Sequence, residues 1–131
     1  MSPAADLLKK VPLFADLEDR ELQEIAGSMK QRTFSPGQEI AVEGERGVGF
    51  FVIEDGQARV TVHGDEVRRL GPGDYFGEVA LIAQTPRTAT VTAESDLKTY
   101  GMTFWDFRPL VEDTPGIAWK LLQSAVKNYA Q

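Results

Sequence analysis

One acid and one arginine stand close together in Phe76-Gly77-Glu78-Val79-Ala80-Leu81-Ile82 and Thr85-Pro86-Arg87-Thr88-Ala89-Thr90-Val91. Residues 78–83 read as a short helix, whose first free N–H groups and dipole make an anion site at its N-terminus. Gly77 lets the backbone come close to a ligand, and Pro86 narrows the path of the chain into Arg87. A guanidinium can grip two oxygens of a phosphate at once, which a lysine cannot. An ionised Glu78 is an acceptor suited to a sugar hydroxyl. The chemistry indicated is the holding of a small sugar phosphate.

The surrounding elements must position that turn. Leu7, Leu8, Val11, Leu13 and Phe14 suggest a short helical turn ending near Pro12. A helix capped by Asp16 or Asp19 then runs to about Met29, with Leu17, Leu22, Ile25, Ala26 and Met29 at helical spacing. From about Lys30 short apolar runs alternate with turn signals. Phe50–Ile53, Ala58–Val62, Val67–Leu70, Ala89–Ala93 and Leu97–Met102 read as strands, and Asp55-Gly56 reads as a hairpin turn. His63 falls beside another turn. Phe104–Glu112 forms one further helix, and Pro115 opens a second. In the latter Trp119, Leu122, Val126 and Tyr129 share a face that reads as core. The expectation is α+β, mainly β: an antiparallel β-roll or jelly-roll barrel flanked by N-terminal and C-terminal helices. Residues 1–131 make one domain, with helices at about 5–29, the roll at about 30–103 and the last helices at about 104–130.

Composition narrows the chemistry. The chain of 131 residues has 42% hydrophobic and 26% charged residues, the balance of a soluble globular protein. It contains no cysteine and one histidine, His63. That excludes disulfides, zinc–thiolate sites, Fe–S clusters, thiol catalysis and metal sites built from several imidazoles. A net charge of −6 lacks the basic footprint of a nucleic-acid binder, so no nucleic-acid partner is expected. Lys9-Lys10 and Arg68-Arg69 read as exposed faces, with Arg68 near the pocket rim. No apolar run approaches the roughly 20 residues of a membrane span. The first residues lack the layout of a signal peptide, and Ser2 stands where a myristoylated chain carries glycine. The expected compartment is the cytoplasm.

Beyond the turn itself, Phe34-Ser35-Pro36-Gly37-Gln38-Glu39-Ile40, Gly49-Phe50-Phe51-Val52-Ile53-Glu54-Asp55-Gly56 and Leu70-Gly71-Pro72-Gly73-Asp74-Tyr75-Phe76-Gly77-Glu78 fall in order. Together with the turn they closely resemble cyclic nucleotide-binding domains, including their phosphate-binding cassette, over about residues 7–129. The resemblance implies that Glu78 accepts from the ribose 2′-hydroxyl. It implies that Arg87 binds the exocyclic phosphate oxygens, helped by N–H groups near Ala80 and by Thr88. Gly77 admits the sugar phosphate, Ala89 provides a close wall, and Phe76 and Val79 complete the cassette. Val60 and Leu70 take positions resembling the apolar surface over the base, and a terminal helix from about Trp119 closes over it.

The implied ligand is cAMP or cGMP, with no further cofactor. Threonine after the arginine, as at Thr88, occurs in cGMP-dependent kinases and also in channels that prefer cAMP, whereas kinase regulatory subunits tend to carry alanine there. The commoner ligand of compact relatives is cAMP, which is the expectation taken. No enzyme is expected, because no nucleophile pairs with a histidine and no second carboxylate faces Glu78. The function implied is that of a regulatory sensor acting through its terminal helices on a protein effector or by self-association, whether standalone or as part of something larger. Two rivals remain: a degenerate domain that serves as a dimerisation or scaffold module, and a small β-barrel enzyme.

Overall fold

The computed structural model describes residues 2–47, 49–83 and 85–129. The Ser2 hydroxyl accepts from the Ala5 N–H at 3.2 Å and so caps α1 (Pro3–Leu8), with Pro3 in the first turn. The apolar run that follows does not extend this helix. Pro12 instead opens a separate 3₁₀ turn, Pro12–Phe14, because a residue without an N–H belongs at a helix start. Glu18, rather than Asp16 or Asp19, caps α2 (Asp19–Ala26): its N–H donates to the Glu21 carboxylate at 2.9 Å. This helix stops before Gly27, short of Met29.

Eight strands follow: β1 (Lys30–Phe34), β2 (Glu39–Ala41), β3 (Gly49–Asp55), β4 (Ala58–Val62), β5 (Asp65–Leu70), β6 (Tyr75–Phe76), β7 (Thr90–Ala93) and β8 (Leu97–Thr103). They form two four-stranded antiparallel sheets, ordered β1-β8-β3-β6 and β2-β7-β4-β5. No strand ladder joins the two sheets among the described residues, so the expected barrel is an open roll.

The Asp55-Gly56 expectation fails for an informative reason. Strands β3 and β4 lie in different sheets, so the turn between them carries the chain across the roll. Gly56 sits at φ +98°, and a Cβ there would lie 2.2 Å from the Asp96 carbonyl oxygen. The two-residue hairpin is His63-Gly64 between β4 and β5, where both residues have positive φ (52° and 84°) and Val62 pairs with Asp65. Those are the dihedral signs of a type I′ turn, whose twist matches the strands it joins.

Strand β3 shows how the core divides. Its apolar run is buried on both faces, as a continuous rather than alternating pattern implies. Phe50 and Val52 pack with Leu8, Phe14, Leu22, Ile25, Leu81, Met102, Phe107 and Ile117 beneath the helices. Ile53 packs inside the roll with Val60, Leu70, Phe76, Val91 and Leu97. At the C-terminal end the Thr103 hydroxyl accepts from the Asp106 N–H at 3.2 Å and caps α3 (Phe104–Asp113). Pro115 opens α4 (Pro115–Tyr129), which buries Ile117, Leu121 and Ser124. That face, at spacings of four and three, overturns the expected one. Trp119, Leu122 and Val126 stand in solvent at 62%, 54% and 61% exposure, and the Tyr129 side chain lies outside the described residues.

Candidate functional site

The chain leaves the roll at Phe76 and returns at Thr90, and the segment between them carries both charged residues singled out above. Gly77 takes a left-handed conformation at φ +87°. A Cβ there would meet the Gly49 carbonyl oxygen at 2.4 Å and Arg87 Nη1 at 2.7 Å, so only glycine serves on both counts. The helix expected over 78–83 is shorter and tighter, a 3₁₀ turn at Glu78–Leu81. One turn has little dipole to offer, so recognition falls to individual donors. The Ala80 N–H is already donated to the Gly77 carbonyl at 3.0 Å. Val79 N–H has no acceptor among the described residues.

Arg87 is fixed more thoroughly than its sequence context suggests. Its N–H donates to the Glu45 carbonyl and its own carbonyl accepts from Gly44 N–H, both at 2.8 Å. Its Nη2 donates to the Gly49 carbonyl at 2.6 Å. A Cβ at Gly47 would lie 2.0 Å from Arg87 Nε, so the guanidinium occupies space left by that glycine. Sequence reading missed Gly47 and the Gly49 carbonyl. The available signal was three glycines (44, 47 and 49) in a six-residue stretch.

Glu78 and Arg87 make no ion pair within 4.0 Å, so they are not the mutually satisfied surface pair that adjacency could have produced. Burial pushes the Glu78 carboxyl above its ordinary value, against the pull of its own N–H, Arg68 and Arg87. Burial likewise lowers the Arg87 guanidinium, with Glu78 opposing. A partly buried guanidinium bonded only to a carbonyl gains from a bound anion, which supplies the charge it lacks.

Of the cavities that adjoin these groups, two share Gly77, Arg87 and Thr88. One of about 210 Å³ is lined by Gly77, Glu78, Val79, Ala80, Thr85, Pro86, Arg87 and Thr88. A second of about 160 Å³ shares Gly77, Arg87 and Thr88 and adds Ala41, Val60, Arg68, Phe76, Ala89 and Val91. The first mixes polar and apolar lining in nearly equal parts and brings Glu78 and Arg87 to one space; the second, which shares three residues with it, is mainly apolar. Nine of the ten expected residues therefore line one or both cavities. Leu70 does not: it is 2% exposed and packed in the roll interior. Arg68 lies at the rim as its position suggested. His63 lines neither cavity and is an exposed hairpin residue with Nδ1 3.2 Å from Glu43. Among the described residues no three acidic or imidazole side chains converge to hold a metal ion, and no helix is long and apolar enough to cross a membrane.

Comparison with known proteins agrees with this geometry. Residues 31–114 match the family described as the cyclic nucleotide-binding domain. A cAMP-dependent protein kinase regulatory subunit of Yarrowia lipolytica is 44% identical over 93 residues, which are 70% of this chain and 25% of the relative. The chain thus spans about a quarter of that curated relative's length. The N-terminal domain of a transcriptional regulator from Streptomyces coelicolor superposes with a TM-score of 0.86 at 29% identity, covering 93% of this chain and 89% of that one. A solved structure of cAMP-bound PfPKA-R superposes with a TM-score of 0.71 at 27% identity, covering 94% and 45%. The names of these matches are those of regulatory proteins, and this chain belongs to the cyclic nucleotide-binding domain family.

Proposed function

We propose that this regulatory domain binds cAMP in the paired cavities and relays its presence through the helices at its two ends. The carrying observation is Arg87: partly buried, fixed by backbone, and without a carboxylate in contact among the described residues. In this reading Arg87 and the Val79 N–H hold the cyclic phosphate, while Glu78 accepts from the ribose 2′-hydroxyl. Gly77 and Ala80 form the close floor, Thr88 stands at the junction, and Val60, Phe76 and Ala89 meet the base. Leu70 acts from behind this wall by packing. The preference for cAMP draws on the relatives, whose names include cAMP-dependent kinase regulatory subunits and a cAMP-bound structure. The same names favour a protein effector, and the cytoplasm is the compartment where such a ligand would be met.

The uncovered residues Trp119, Leu122 and Val126 supply the moving part. Covering the base with α4 buries them, and ligand binding shifts the population toward that arrangement. The same stripe favours a second reading, a scaffold that self-associates without nucleotide. Calorimetry with cAMP and cGMP on the parent and on Arg87→Ala separates the two. Submillimolar binding that disappears with Arg87 supports the sensor. An absence of heat with either nucleotide, together with self-association indifferent to both, overturns it.

A further inference from the structure

Helix α4 meets the N-terminal segment through charge as well as through apolar packing. Lys120 Nζ lies 2.7 Å from Glu21 Oε1 and 3.9 Å from Glu18 Oε1. One turn further, Ser124 Oγ donates to Asp16 Oδ2 at 3.3 Å, and Lys127 Nζ lies 3.8 Å from the same oxygen. The centre of this ladder is shielded from water: Glu21 is 7% exposed and Ser124 1%. Glu21 also accepts the Glu18 N–H that starts α2, so the carboxylate ties that helix start to α4.

Two apolar faces of α4 compete for burial. Ile117 and Leu121 are inside, whereas Trp119, Leu122 and Val126 are in solvent. Area alone does not favour the observed choice, because the outer face carries the larger side chains. The ladder flanks the inner face. We propose that Asp16, Glu18 and Glu21, with Lys120, Ser124 and Lys127, form an ionic latch that holds α4 in its uncovered arrangement and so sets ligand affinity. This inference rests on the cyclic nucleotide reading above. Closing over the ligand opens the latch, and the work of opening it subtracts from the affinity observed.

Opposite charge changes give the test its edge. Glu21→Gln removes a negative charge and Lys120→Met a positive one. Long-range attraction of an anionic ligand therefore moves their affinities in opposite directions. A latch broken from either side moves both the same way. The experiment compares amide hydrogen exchange of α4 in the ligand-free parent, both variants and the double variant, then titrates each with cAMP. Both single variants are expected to speed exchange at residues 118–126 while leaving the strands protected. Each should tighten cAMP binding by roughly two- to fivefold, and the double variant by no more than one single. Unchanged exchange in α4, affinities that move in opposite directions, or additive gains overturn the latch. A parent that takes up no nucleotide defeats the ligand reading alone, and the exchange comparison still decides the latch.

Discussion

The helical flank and the mouth of the roll use positive charge in opposite ways. On the flank Lys120 is matched by Glu21 at 2.7 Å and Glu18 at 3.9 Å, and its ammonium is held above its ordinary value first by the bond to Glu21. At the mouth the Arg87 guanidinium has the Gly49 carbonyl as its one hydrogen-bond partner among the described residues, and burial pulls it down. The flank packs fully buried side chains such as Leu8, Phe14 and Leu22 around its charges. The mouth sets Arg87 against glycines 47 and 77, whose hydrogens leave room for a guanidinium and for something beside it. A cation matched within the fold contributes to the fold. One positioned by backbone and left without a counter-charge in contact is arranged for a partner from outside.

The sharpest way to break this contrast is to remove the unmatched charge. Arg87→Ala is expected to weaken cyclic nucleotide binding by ~2–5 kcal/mol, the range for truncating one side of a buried charged contact. Its effect on folding should be limited to about 1 kcal/mol, since one hydrogen bond to a carbonyl is lost. Calorimetry and urea unfolding of the same samples measure the two effects. Undiminished binding, or a variant that fails to fold, would place Arg87 with the flank's structural charges.

Glu78 sharpens the comparison from the acidic side, with a smaller effect. Replacing it by alanine should cost ~1.5–3 kcal/mol against a ribose cyclic nucleotide and far less against its 2′-deoxy analogue. Equal losses for both ligands would show that Glu78 has another task. Its proton gives a second measure. Burial raises the folded-state pKa above the unfolded value, so this residue's stabilising contribution is full at low pH and declines as pH rises through the folded value. Ligand binding runs the other way, because the ionised form is the acceptor, and affinity should fall as pH drops through that raised value. Glu78→Gln should therefore stabilise the ligand-free protein at neutral pH while weakening binding. Unfolding at about pH 5 and about pH 7 tests the sign.

Local signals carried much of this into the sequence, and their failures share a cause. The strands, the glycine turns and the order of Gly77, Glu78 and Arg87 were legible because each depends on near neighbours. Asp55-Gly56 misled because a turn signal states that the chain reverses, not which sheet it rejoins. Leu70 lines neither cavity, and strand alternation alone leaves open whether a residue faces the cavity or the packed interior. The inward face of α4 was hidden for a further reason. Its helical period offered two apolar faces, and contacts with Asp16 and Glu21, a hundred residues away along the chain, accompany the one chosen. Gly47 announced itself only as part of a glycine-rich stretch, because its particular value lies in where the Arg87 side chain ends.

The smallest expected effect concerns the base. Thr88 lines both cavities, and its hydroxyl has no hydrogen-bond partner among the described residues. Arg68, on the wall of the second cavity, adds a guanidinium whose donors suit the O6 and N7 acceptors of guanine. Adenine presents an amino donor where guanine presents O6, so these two residues pull against the relatives' association with cAMP. One hydroxyl contributes about 0.5–1.5 kcal/mol net, so Thr88→Ala should weaken cGMP by up to roughly tenfold and leave cAMP nearly unchanged. A ratio of the two affinities that does not move would remove Thr88 from base selection. A cAMP affinity that falls with it would place the hydroxyl on the phosphate beside Arg87, and discrimination would then belong to the apolar wall and Arg68.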